Sequence, residues 1–152
     1  MRLAELLSVD RIDTALAVAD KPSALRAMAA LLARGAKELS EEAITVALQS
    51  REDKASTGVG EGVAVPHGRI AGLEHLIAAL AIAPSGVEFD SIDGRPVRIF
   101  VSVIAPERAS GEHVRALAAI ARLLHDAGAR ERILAASTPD DVMRVIASGD
   151  RA

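Results

Sequence analysis

Two apolar runs near the middle of the chain do most to limit what it can fold into. Residues 76–83 lie between Gly72 and Pro84-Ser85-Gly86, and residues 97–104 lie between Gly94-Arg95-Pro96 and Pro106. Each is about eight residues long and nearly continuous in hydrophobicity, the pattern of a strand covered on both faces. The β-branched content of 97–104 marks it as a strand, whereas the alanine-rich 76–83 fits a strand or a helix. Strands buried on both sides need helices above and below them.

The rest of the chain supplies those helices. Asp20 or Ser23 caps a helix running to Gly35, with Pro22 in its first turn and Leu25, Met28, Ala29, Leu31 and Leu32 as its core stripe. Ser40 caps a second helix, from Glu41 to about Arg51, that buries Ile44, Ala47 and Leu48. Ser110 caps a third, from Gly111 to about Asp126, with Val114, Leu117, Ala118, Ile120, Ala121 and Leu124 on one broad face. Gly128 breaks it, a helix over 129–136 follows, and Thr138-Pro139-Asp140-Asp141 starts the last. Short strands are expected over 12–18 and 63–65. The expected architecture is α/β: one domain over 1–152, a single mixed β-sheet flanked by α-helices on both faces.

Composition removes several function classes. Only two of the 152 residues are aromatic, Phe89 and Phe100, so no ring platform exists for stacking bases. A net charge of −3 gives no electrostatic footprint for DNA or RNA. The absence of cysteine excludes disulfides, thiol catalysis and thiolate-bound metals. Early acidic residues (Glu5, Asp10, Asp13) and the lack of a long uninterrupted apolar span point to a soluble cytoplasmic domain, with no membrane insertion.

The chemistry concentrates in Ser56-Thr57-Gly58-Val59-Gly60-Glu61-Gly62-Val63-Ala64-Val65-Pro66-His67-Gly68-Arg69, where four glycines, one proline and one histidine crowd a short segment. Such density implies a backbone of special shape, and His67 is expected in a loop at the end of the short strand, held between Pro66 and Gly68. An ordinary turn histidine is the plain alternative, but Arg51, Thr57 and Arg69 lie near in sequence. His113 falls in the first turn of the third helix, where the positive end of the helix dipole disfavours imidazolium. His75 and His125 stand at element margins beside acidic residues and carry no signal.

Two histidines without HExxH spacing or a third ligand make a poor zinc site, so no metal is expected. A hydrolase with His67 as base beside Glu61 or Asp53 lacks a GxSxG-type elbow. The glycines match neither a P-loop nor a GxGxxG fingerprint, so no nucleotide cofactor is expected. What remains is an imidazole in phosphate-compatible surroundings, able to accept a phosphoryl group at one ring nitrogen if the other is held in one tautomer. Backbone N–H groups over 58–62, a hydroxyl and an arginine would serve the phosphoryl oxygens.

At these residues the chain resembles the enzyme IIA proteins of the fructose/mannitol class of the bacterial phosphoenolpyruvate-dependent phosphotransferase system, in particular the nitrogen-regulatory branch. The resemblance rests on Arg51-Glu52, Ser56-Thr57-Gly58, Gly60, Gly62-Val63-Ala64-Val65-Pro66-His67-Gly68, on Phe89-Asp90-Ser91-Ile92-Asp93-Gly94-Arg95-Pro96-Val97, and on His113-Val114-Arg115-Ala116-Leu117-Ala118. It covers about residues 3–147 and implies a mixed sheet flanked by helices. It implies His67 as phosphoryl acceptor from the phosphohistidine of an HPr-like phosphocarrier protein, and His113 as second active-centre histidine. It implies Arg51 and Thr57 as groups stabilising the phosphate, beside Gly58. Val63, Ala64 and Val65 are expected to help form the docking surface for the carrier.

The expected function is thus that of a phosphoryl carrier and regulator whose phosphorylation state selects a regulated protein target. The alternatives are a sugar-specific IIA passing phosphate to a separate IIB, and an interaction module without phosphotransfer. Arg69 stands where the branch often has lysine, which keeps the charge and changes the geometry.

Overall fold

In the computed structural model, which describes residues 1–150, the two apolar runs pair as the central hairpin of a six-stranded mixed sheet. In chain order the elements are α1 (Leu3–Leu6), a 3-10 turn (Val9–Arg11), β1 (Ile12–Asp13), α2 (Lys21–Ala33), α3 (Glu41–Glu52), β2 (Gly58–Gly60), β3 (Val63–Ala64) and β4 (His67–Ile70). The central strands β5 (Ile77–Val87) and β6 (Val97–Pro106) follow, and then α4 (Ser110–His125), α5 (Ala127–Ala135) and α6 (Pro139–Asp150). The strand order is β1-β5-β6-β3-β2, and β4 also pairs with β6. β5 and β6 run antiparallel, while β1 lies parallel to β5 and both β3 and β4 lie parallel to β6. Residues 76–83, which fitted a strand or a helix, are therefore strand from Ile77 onward.

Each face of the sheet carries its own core. Ala79, Ala81 and Ala83 of β5, with Phe100 and Ile104 of β6, face α2 and α3. Ala78, Leu80 and Ile82, with Ile99, Val101 and Val103, face α1, α4, α5 and α6. Small alanines let α2 and α3 approach closely, and the two phenylalanines meet edge to face at 5.4 Å, an arrangement favoured by the ring quadrupoles. The stripe Leu25, Met28, Ala29, Leu31 and Leu32 of α2 is buried as its spacing requires.

The caps explain where the helices begin. Asp20 accepts from Ser23 N–H at 2.9 Å, Ser40 from Ala43 N–H at 3.0 Å, and Thr138 from Asp141 N–H at 3.1 Å. α4 starts at Ser110 itself, with Ala109 in the cap position; the side chain of Ser110 lies outside the described residues, and with it the capping role expected of it. The break before α5 is at Asp126 rather than Gly128: the Asp126 carboxylate accepts from Gly128 N–H at 3.2 Å, so Gly128 falls inside the new helix. The strand expected over 12–18 is only Ile12–Asp13.

Candidate active site

His67 is the first residue of β4, not a loop residue beyond a strand. Val63 pairs with Ile99 and His67 with Val103, so β3 and β4 keep one register along β6 and form a single line interrupted at Pro66. Proline has no N–H for the ladder, which breaks the strand without bending it off course. The Pro66 carbonyl still accepts from Val103 N–H at 3.2 Å. Alternation then puts His67 on the face of Val63 and Val65, toward α4, and Gly68 on the face of α3. A Cβ on Gly68 would lie 3.0 Å from the Ala47 carbonyl oxygen, so glycine lets α3 come against the strand.

This packing brings Arg51 from the end of α3 and His113 from the first turn of α4 to opposite sides of the same strand end. The His67 and His113 rings sit 5.3 Å apart, edge to face. His67 Nδ1 is 2.8 Å from the Val65 carbonyl oxygen, which can only accept, so the proton is on Nδ1 and Nε2 carries the free lone pair. Arg69 Nε donates to His113 Nδ1 at 3.4 Å. Arg51 is pinned by donation to the Ala55 carbonyl at 3.0 Å. Together with Ala47, Ser50, Lys54, Gly68, Val114 and Leu117, these residues line a cleft of about 480 Å³.

Electrostatics keep both rings neutral. Burial lowers the pKa of His67 below its usual value; Arg51 adds to this, while the Val65 carbonyl and Glu52 oppose it. His113 is lowered to about 4, first by burial and then by His67 and Arg69. Its Nε2 is buried without a hydrogen-bond partner. The cleft thus holds a neutral nucleophile, a neutral donor and the cations Arg51, Lys54 and Arg69, a set suited to a doubly charged anion on His67.

The remaining expected site residues have other partners. The Thr57 hydroxyl donates to the buried carboxylate of Glu52, which also accepts from Thr57 N–H at 2.9 Å and pairs with Lys21 at 2.8 Å. Gly58 gives its N–H to Ser56 Oγ at 3.1 Å and lies against Ser91. Glu61 N–H goes to Asp93 at 2.9 Å. The glycines therefore serve a tight hairpin, with φ of 99° at Gly60, 57° at Glu61 and 76° at Gly62, and the positive charge of the cleft comes from the side chains of Arg51, Lys54 and Arg69. Lys54 was missed; its one signal is its place three residues after Arg51, beyond the end of α3. Val63 and Ala64 are buried and offer no docking surface. Val65 lines an apolar groove of about 380 Å³ with His67, Leu117 and Leu124. The exposed apolar side chains near the histidine are Val59 and Val114, at 59% and 63%.

The mixed sheet carries a strand-borne imidazole with a second histidine and the cations Arg51, Lys54 and Arg69 around one cleft. The chain belongs to the EIIA 2 family of the phosphoenolpyruvate-dependent sugar phosphotransferase system, whose model matches residues 5–149. It is 35% identical over 147 residues to a nitrogen regulatory protein of Bradyrhizobium diazoefficiens, covering 97% of this chain and 95% of that protein. A nitrogen regulatory protein of Pseudomonas aeruginosa is 33% identical over 146 residues, 96% of this chain and 95% of the relative. The crystal structure of nitrogen regulatory protein IIA-Ntr from Neisseria meningitidis superposes with a TM-score of 0.89 at 32% identity, covering 95% of this chain and 98% of that one. Among the described residues, no helix is long and apolar enough to cross a membrane.

Proposed function

We propose that this protein is the phosphocarrier of a nitrogen-type phosphotransferase system, working in the cytoplasm, and that Nε2 of His67 takes the phosphoryl group from the phosphohistidine of an HPr-like carrier. One observation carries the reading: the Nδ1–H of His67 is held by the Val65 carbonyl, leaving an unprotonated Nε2 beside the cationic cleft. In the transfer, the P–N bond of the donor breaks and a P–N bond to Nε2 forms, with no proton moved on His67. As the new bond forms the ring gains positive character, and the Val65 carbonyl stabilises the Nδ1–H that shares it. Arg51 and Lys54, with the Nε2–H of His113, meet the charge spread over the equatorial oxygens.

The added charge sits on His67, which lines both the groove that holds Val59 and the cleft that holds Val114, and there it distinguishes partners that dock on the two forms. Full-length similarity to free-standing nitrogen regulatory proteins favours regulation of a protein target over sugar uptake. The test is labelling by a phosphorylated HPr-like donor. Wild-type protein is expected to take up stoichiometric, acid-labile and base-stable phosphate, and His67→Ala none; a His67→Ala protein that is still labelled would overturn the assignment, and an unlabelled wild type would favour an interaction module.

A further inference from the structure

The residue two positions after His67 is a second point of control over the site. We propose that Arg69 is a positioning residue: it holds His113 as the neutral Nε2–H tautomer, so that this proton is fixed in place for a phosphoryl oxygen on His67. The inference deepens the proposed function and rests on it only for the last clause.

Three observations converge. Arg69 Nε carries a hydrogen and cannot accept, so the 3.4 Å contact requires the lone pair of His113 to be on Nδ1. The remaining proton of a neutral ring is then on Nε2. That atom is buried, in a residue only 6% exposed, and has no partner. A buried donor without a partner costs free energy, and such a group at a cleft lined by His67, Arg51 and Lys54 is poised for an anion that arrives there. A bond of 3.4 Å is weak by itself. The guanidinium adds a second effect of the same sign, because its charge opposes protonation of His113.

The arrangement follows from the strand. Residues 67 and 69 are on one face of β4, one register step apart, so the side chain after the nucleophile reaches the same helix turn that carries His113. The charged and titratable groups around His113 are His67 and Arg69 from β4, with Arg51 and Lys54 from the end of α3 and the turn after it. All are cationic or neutral and disfavour an imidazolium, and the carboxylate next to His113 in α4, Glu112, is exposed. Arg69 is exposed, and its replacement leaves both cores untouched.

The experiment is long-range 1H–15N correlation NMR of the histidine rings across a pH titration, in wild type, Arg69→Met and Arg69→Lys. Wild type is expected to show a single tautomer at His113, with Nδ1 unprotonated, and no ring protonation until well below pH 6. Arg69→Met, which removes both donor and charge, should shift His113 toward a mixture of tautomers and raise its pKa, while Arg69→Lys should keep the Nε2–H form. A wild-type His113 protonated at Nδ1, or an Arg69→Met ring unchanged in tautomer and titration, would overturn the proposal. Phosphotransfer is measured on the same samples. Arg69→Met is expected to slow transfer at saturating donor at least tenfold more than Arg69→Lys does; equal rates would contradict the positioning role. Failure of the proposed function itself reads differently, as an unlabelled wild type with the tautomer intact.

Discussion

His67 and His113 are both uncharged at neutral pH, and the consequences run in one direction. A histidine whose folded pKa is depressed binds its proton first in the unfolded chain. For His113 the folded value is about 4 against an ordinary 6.5, so the unfolded state holds more protons between those limits. Stability is therefore full above about pH 6.5 and falls as pH drops toward 4, where the loss levels off. At 1.36 kcal/mol per unit the ceiling is about 3 kcal/mol, and solvent in the open cleft screens it to roughly half that. Urea unfolding midpoints measured from pH 4 to 7 should show this slope in wild type and a shallower one in His113→Gln; equal slopes would contradict the buried, neutral ring. Much of this scale was legible in the sequence. Pro66-His67-Gly68 advertised an imidazole held by special backbone, and His113 lay where a helix dipole keeps it neutral. Lys54 was not legible, because nothing in the spacing shows that the chain turns back toward the cleft after α3.

The broken line of β3 and β4 shows why the Gly-rich segment was only partly readable. Proline and glycine flanking a histidine read as a loop, yet the constant register along β6 makes them strand residues with two separate tasks. Pro66 omits one ladder donor, and Gly68 provides clearance for α3. The backbone N–H groups of 58–62 were expected as phosphate donors, but the positive φ angles of Gly60, Glu61 and Gly62 build the β2–β3 hairpin, and the N–H groups of Gly58 and Glu61 are taken by Ser56 and Asp93. Contacts made by one segment with Ser91 and Asp93, far along the chain, leave no local pattern to read. Gly68→Ala offers a test at this scale. Its methyl would crowd the Ala47 backbone and push back the helix that carries Arg51. The expected cost is about 1–3 kcal/mol of stability with a slower phosphotransfer, read from urea unfolding and a labelling time course. A variant as stable and as fast as wild type would show that α3 is not held by this contact.

The whole molecule is one sheet between two apolar layers, and this was the most legible part. Continuous hydrophobic runs for β5 and β6, capped helices on either side and an alanine-rich middle strand are each visible as local pattern, and they agree with one another. What the pattern does not contain is which strand edge meets which helix end, and that meeting is the site: α3, β4 and α4 converge only because β4 continues β3 beside β6. Docking was misplaced for the same reason, since Val63 and Ala64 alternate into the cores while Val59 and Val114 stand outside. The central claim is that the architecture presents the Nε2 of a single strand-borne histidine to a donor. Phosphorus and nitrogen NMR of the isolated phosphoprotein tests it most directly. One phosphohistidine is expected, bonded at Nε2 of His67 with Nδ1–H retained on the Val65 carbonyl; phosphate at Nδ1 of His67, or on any other residue, would contradict the claim.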